Sequence, residues 1–63
     1  MMHDLLEEKR KKLEMTQEEV AERAGITRAY YTMIEAGKKT PSPAIAKKIA
    51  NIFGFDWTLF FAS

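Results

Sequence analysis

Cysteine is absent from this chain of 63 residues, so no disulfide can staple it. A single histidine with no cysteine partners also excludes a structural zinc site, and His3, near a helix start, is expected to be exposed and inert. No apolar run approaches the roughly 20 residues needed to cross a bilayer. The opening stretch MMHDLLEEKRKK places acidic residues early and holds no apolar segment of signal-peptide length. Net charge is nearly missing too: ten Lys and Arg face nine Asp and Glu, leaving +1. Overall charge therefore gives little support for a polyanionic partner. No Ser/His/Asp set, paired-carboxylate pocket or phosphate-cradling glycine loop stands out, and so small a chain could hardly enclose a substrate. Catalysis, a metal and a cofactor are not expected, and the chain reads as soluble, cytoplasmic and without a membrane partner.

What is present has to make a fold without staples. A chain of this size is marginal, burying only about 60% of its unfolded surface. The hydrophobic fraction of 46% nevertheless suffices for a real core and argues against disorder. Compact helix packing, reinforced by self-association, is the remaining route to stability. Basic residues cluster at Lys9 to Lys12, Lys38–Lys39 and Lys47–Lys48, while Glu14, Glu18, Glu19 and Glu22 lie together. These are ordinary solvated faces unless the fold gathers the basic groups on one side.

Helical spacing runs through the whole chain. Met2, Leu6 and Leu13 predict a first helix over about Asp4 to Leu13. Thr16 with Glu19 makes a capping box, and Met15 and Val20 flank it as a hydrophobic staple, fixing a second helix start near Gln17. Gly25 ends that helix, Thr27 caps a third over Arg28 to Ala36, and Gly37 stops it. The segment KKTPSP reads as a loop, with Ser42 as N-cap and Pro43 as first residue of a fourth helix. Ile45, Ala46, Ile49, Ala50, Ile52 and Phe53 form its inner stripe, Lys47, Lys48 and Asn51 point outward, and Gly54 closes it. Asp56 is placed to cap a last short helix, WTLFF. There is no strand pattern, internal repeat or linker, so residues 1–63 are expected to form one all-α domain.

The stretch QEEVAERAGITRAYYTMIEA is the most telling. Val20, Ala21 and Ala24 share one face, Ala21 being small enough for close crossing of a second helix. Ile26 plugs the turn, and Tyr31 with Ile34 gives the next helix its inner side. That pattern is a helix-turn-helix, whose second helix is shaped for a DNA major groove. Its outer side holds Ala29, Thr32, Met33 and Ala36, flanked by Arg28 and Tyr30. Ala, Met and the Thr methyl suit thymine methyls, and Arg28 suits guanine O6 and N7. The free N–H groups of the preceding helix, with the Gln17 side chain, suit a phosphate. Plainer readings stand beside these: Arg28 as a solvated arginine, Thr27 as a cap, Tyr31 as core.

The run MTQEEVAERAGITRAYYTMIEAGKKTPSPAIAKKIANIFGFDW resembles the Cro/C1-type (XRE-family) helix-turn-helix regulators of bacteria and their phages. The resemblance covers roughly Leu6 to Phe61. It implies a compact five-helix bundle of the lambda-repressor-like type that binds double-stranded DNA, usually as a two-fold homodimer on a near-palindromic operator. It places Thr27, Arg28, Ala29, Thr32 and Met33 on the base-contacting surface. Thr16, Gln17, Lys38, Lys39, Thr40 and Ser42 fall where the family meets phosphates, and Arg10 and Glu35 match an interhelical ion pair. The family often carries Gly where this chain has Glu14; a left-handed conformation is unfavourable for Glu, so a different exit from the first helix is expected.

Phe53, Phe55, Trp57, Phe60 and Phe61 gather in the tail. Closing the core is one role; the other is a symmetric dimer interface, to which Trp57, Phe60 and Phe61 are assigned. Together these readings predict a transcriptional regulator, a repressor in character, whose occupancy follows its own concentration or a protein partner. A protein-interaction module on the same fold, such as an antitoxin or adaptor, is the alternative. The residues equally suit a domain excised from a longer regulator.

Overall fold

Capping chemistry sets most of the boundaries in the computed structural model, which describes residues 2–61; the ends of the expected 1–63 domain lie outside them. Four α-helices follow one another: α1 Met2–Lys12, α2 Gln17–Ala24, α3 Arg28–Glu35 and α4 Pro43–Phe53. At the start of α2 the Thr16 hydroxyl accepts from the Glu19 N–H at 3.1 Å, and the Glu19 carboxylate accepts from the Thr16 N–H at 2.8 Å. Thr27 caps α3 through the Tyr30 N–H at 3.1 Å. Ser42 caps α4 through the Ile45 N–H, with Pro43 as first residue. Each cap satisfies a backbone donor that the first helical turn leaves unpaired.

Leu6, Val20, Ala21, Ala24, Tyr31, Ile34, Ile49 and Phe53 form the core, contributed by all four helices. Leu6, Val20, Tyr31 and Ile49 are fully buried, each removal from water being worth about 1.5–3 kcal/mol for a large apolar side chain. Ala46 and Ala50 are buried as well, while Lys47, Lys48 and Asn51 face solvent on α4. Buried Ala21 lets α2 and α3 cross closely. Gly25, with φ +71°, then turns the chain between them, a left-handed conformation that costs glycine nothing in Cβ clash.

Several expectations need correction. The expected last helix is not an α-helix: Trp57–Phe61 is a short 3-10 helix, so the described residues form four α-helices and this segment. Five residues rich in aromatics and a β-branched Thr are poor α-formers, and Asp56 holds them tightly. Its carbonyl accepts from the Leu59 N–H at 3.0 Å, and its carboxylate from the Thr58 N–H and hydroxyl at 3.0 and 2.8 Å. Leu13 does not extend the inner stripe of α1; it is 51% exposed because the helix stops at Lys12. His3 is half-buried rather than exposed. Its ring lies against Gly37, where an added Cβ would come within 3.0 Å of Nδ1.

Glu14 overturns the expected change of exit. It does adopt the left-handed conformation, with φ +54°. Its N–H bonds the Lys11 carbonyl at 3.0 Å and the Met15 N–H bonds the Arg10 carbonyl at 3.1 Å, the paired bonds of a Schellman ending. The Arg10 guanidinium adds a bond to the Met15 carbonyl at 2.9 Å. These three bonds hold a conformation that costs an L-residue about 1–2 kcal/mol. Glu14→Gly removes that strain against a glycine entropy cost of about 0.5–1 kcal/mol. It should therefore raise stability by about 0.5–1 kcal/mol, read as a thermal midpoint higher by about 4 °C.

Candidate nucleic-acid interface

The helix-turn-helix divides α3 into two unlike sides. Tyr31, Ile34 and Glu35 are buried beneath it, whereas Arg28, Ala29, Thr32, Met33 and Ala36 are exposed. Ala29, Thr32, Met33 and Ala36 recur at three- and four-residue intervals and so line one face. Met33 is 40% exposed and lies on this outer face. Thr27 is exposed at the head of this surface, its hydroxyl oxygen occupied as a cap.

A buried carboxylate sets the orientation of α3 against its neighbours. Arg10 grips Glu35 with two parallel bonds, Nε to Oε1 at 2.8 Å and an Nη to Oε2 at 3.1 Å. The Tyr31 hydroxyl donates to Oε1 at 2.9 Å and the Gln17 amide to Oε2 at 2.8 Å. Burial pushes the Glu35 carboxyl up, but the bonds from Arg10, Gln17 and Tyr31 outweigh it and hold the group below the usual glutamate value. Burial, with Glu35 alongside, raises the Tyr31 phenol, which stays protonated and donates. The bond to Glu35 raises Arg10 in turn. Among the described residues no buried side-chain nitrogen or oxygen lacks a partner. This network ties α1, α2 and α3 together directly under the exposed face.

A cleft of about 430 Å³ opens at the start of α2, lined by Arg10, Thr16, Gln17, Glu18 and Arg28. The Arg10 guanidinium in this wall is committed to Glu35 and the Met15 carbonyl, which leaves Arg28 and the first N–H groups of α2 as the features of the cleft suited to an anion. The Glu18 carboxylate opposes it from the same wall.

The helix-turn-helix family profile matches residues 6–60. The chain belongs to the Cro/C1-type (XRE) helix-turn-helix family. It is similar to the Uncharacterized HTH-type transcriptional regulator YqaF of Bacillus subtilis (strain 168), at 54% identity over 61 residues, 97% of this chain and 80% of that protein. It is also similar to an Uncharacterized HTH-type transcriptional regulator of Methanothermobacter thermautotrophicus, at 45% identity over 84% of this chain and 77% of that protein. A protein of the same description from Archaeoglobus fulgidus is 44% identical over 82% of this chain and 73% of its own length. No solved structure gives a significant match. The family is one of helix-turn-helix transcriptional regulators and is typically non-enzymatic.

In this XRE-family chain the remaining candidate residues lie on the loop after α3, at the head of α2 and in the aromatic tail. Lys38, Lys39 and Thr40 are exposed on the loop between α3 and α4, and Ser42 caps the helix that follows. The Lys38 and Lys39 N–H groups bond the Met33 carbonyl at 2.9 and 3.2 Å, which ties the loop to the end of α3. Thr16 and Gln17 sit at the head of α2, but the Gln17 side chain is turned inward, with its amide on Glu35 and its Oε1 accepting from the Thr32 hydroxyl at 3.0 Å. Sequence reasoning missed that inward turn, and it missed Arg28 as a wall of the α2 cleft. Both contacts are tertiary and leave no local signal.

The aromatic tail is divided. Phe55 packs between Phe53 and Phe60, with ring centroids 6.5 and 5.6 Å away, so Phe60 is largely committed to the core edge. Trp57 meets Phe61 edge-on at 5.9 Å and carries the Lys47 ammonium 4.9 Å above its ring. Phe61 and Leu59 remain 46% and 45% exposed. Among the described residues no helix is long and apolar enough to cross a membrane, and no cluster of His, Cys, Asp or Glu could hold a metal ion.

Proposed function

We propose that this chain is a sequence-specific double-stranded DNA-binding transcriptional regulator that acts as a repressor, with α3 in the major groove. One observation carries the reading: the side of α3 bearing Arg28, Ala29, Thr32 and Met33 is free while the opposite side is locked to the core through Glu35. A rigid helix with a mild, unobstructed face is what groove entry requires. Arg28 reads guanine, Ala29 and Met33 contact thymine methyls, and Thr27 and Thr32 complete the base-facing set. Thr16, the free backbone N–H groups at the start of α2, that of Gln17 included, and Lys38, Lys39, Thr40 and Ser42 hold phosphates on either side. Two copies, joined through Phe61, Trp57 and the rim of Phe60, place their helices on half-sites about 34 Å apart. The whole chain acts as one binding domain, in the cytoplasm and without a cofactor.

Selection from a random duplex library at two salt concentrations tests this reading. A near-palindromic motif with strongly salt-dependent affinity supports it. Weak binding that ignores both sequence and salt, alongside specific capture of a protein, favours the interaction-module alternative. Two variants probe the assigned roles on the selected duplex. Arg28→Ala should lose about 1–3 kcal/mol and relax specificity at one base pair. Lys38→Ala should weaken all sequences alike and reduce the salt slope by about 1.

A further inference from the structure

Glu35 dictates the direction of every hydrogen bond around it. As an ionised carboxylate gripped by Arg10 it can only accept. The Gln17 atom that faces Glu35 Oε2 at 2.8 Å must therefore be the amide nitrogen; the flipped amide would set two acceptors against each other. That choice points Gln17 Oε1 at Thr32, and an amide oxygen can only accept. The Thr32 hydroxyl, 3.0 Å away, must then donate its one proton inward. Only lone pairs and the methyl group are left to face outward on the exposed side of α3.

We infer that Gln17 is a positioning residue that makes Thr32 a one-way reader, accepting a hydrogen bond from the exocyclic amine of adenine or cytosine and unable to donate to guanine or thymine. The inference rests on the DNA-binding reading above and adds to it the polarity of one contact. In the major groove adenine N6 and cytosine N4 are donors, whereas guanine O6 and N7 and thymine O4 are acceptors. A free threonine hydroxyl serves either kind. One whose proton is already committed distinguishes them, at a base that would otherwise be read loosely.

The test compares library selections for the wild-type chain, Thr32→Val and Gln17→Ala, each first shown to be folded by thermal melting. Thr32→Val is nearly isosteric at an exposed position, so it remains informative should Gln17→Ala fail to fold. The wild type should require an amino base on one strand at a single position of each half-site. That requirement should vanish in Thr32→Val, and Gln17→Ala should admit guanine or thymine there. On the selected duplex, an analogue lacking the amine (purine for adenine, 2-pyrimidinone for cytosine) should weaken the wild type about fivefold and leave Thr32→Val unchanged. A Thr32-dependent position that selects guanine or thymine, or an equal effect of the analogue on both proteins, overturns the inference while leaving DNA binding intact. Failure of the folded wild type to enrich any sequence overturns the DNA-binding reading, and this inference with it.

Discussion

Arg10→Ala should remove most of the chain's folding stability. The substitution removes both guanidinium bonds to Glu35 and the bond to the Met15 carbonyl, and it strands a buried carboxylate. Breaking one side of a buried pair costs about 3–5 kcal/mol. A chain of this length has only about 3–9 kcal/mol in total, at roughly 0.05–0.15 kcal/mol per residue. The loss therefore takes most of the available stability, and urea unfolding followed by far-UV circular dichroism measures it. Glu35→Gln keeps the shape and removes the charge, but it sets an amide donor against the donors that meet on Glu35, so it should destabilise as well. The two variants also separate the electrostatic part by pH. The Glu35 carboxyl is held below its ordinary value in the folded state, so the unfolded chain binds more protons in the interval below the usual glutamate value of about 4.3. Stability from this group is fully present above that value and is lost as pH falls through the folded one. The wild type should lose stability on acidification more steeply than Glu35→Gln; equal slopes would remove Glu35 from the account.

Ala29→Glu should abolish specific DNA binding while leaving the fold intact. Residue 29 is exposed on α3, and alanine and glutamate differ by only a few tenths of a kcal/mol in helix propensity. An acidic residue near the helix N-terminus is also favourable to the macrodipole, so the melting midpoint should hardly move. Against a duplex the same carboxylate enters a strongly negative groove, where juxtaposed like charges cost several kcal/mol. Affinity for the selected duplex should fall at least about a hundredfold. A variant that melts like the wild type and still binds like it would detach the outer face of α3 from DNA recognition.

The parts of this structure legible in the sequence are those governed by contacts within one helical turn. The starts of α2, α3 and α4 follow from Thr16 with Glu19, Thr27, and Ser42 with Pro43, because each cap bonds a backbone group three residues away. The stripe of α4 was equally plain, since its apolar residues face one core. Local rules failed where tertiary bonds outweighed propensity. Glu14 is left-handed because three hydrogen bonds close the end of α1 around it, and Leu13 is exposed because that closure interrupts the helical period. The Gln17 side chain reaches partners 18 and 15 residues away, beyond any local pattern. Asp56 was recognisable as a cap, but the bonds it makes draw Trp57–Phe61 into a tighter turn than an α-helix.

The face of α3 that bears Ala29, Thr32 and Met33 can be watched directly by methyl NMR on the complex with the selected duplex. Groove entry predicts intermolecular Overhauser contacts from the Ala29 and Met33 methyl groups to thymine methyls or to base protons on the major-groove edge. Methyl groups of α3 that stay silent while the duplex contacts another surface would contradict it.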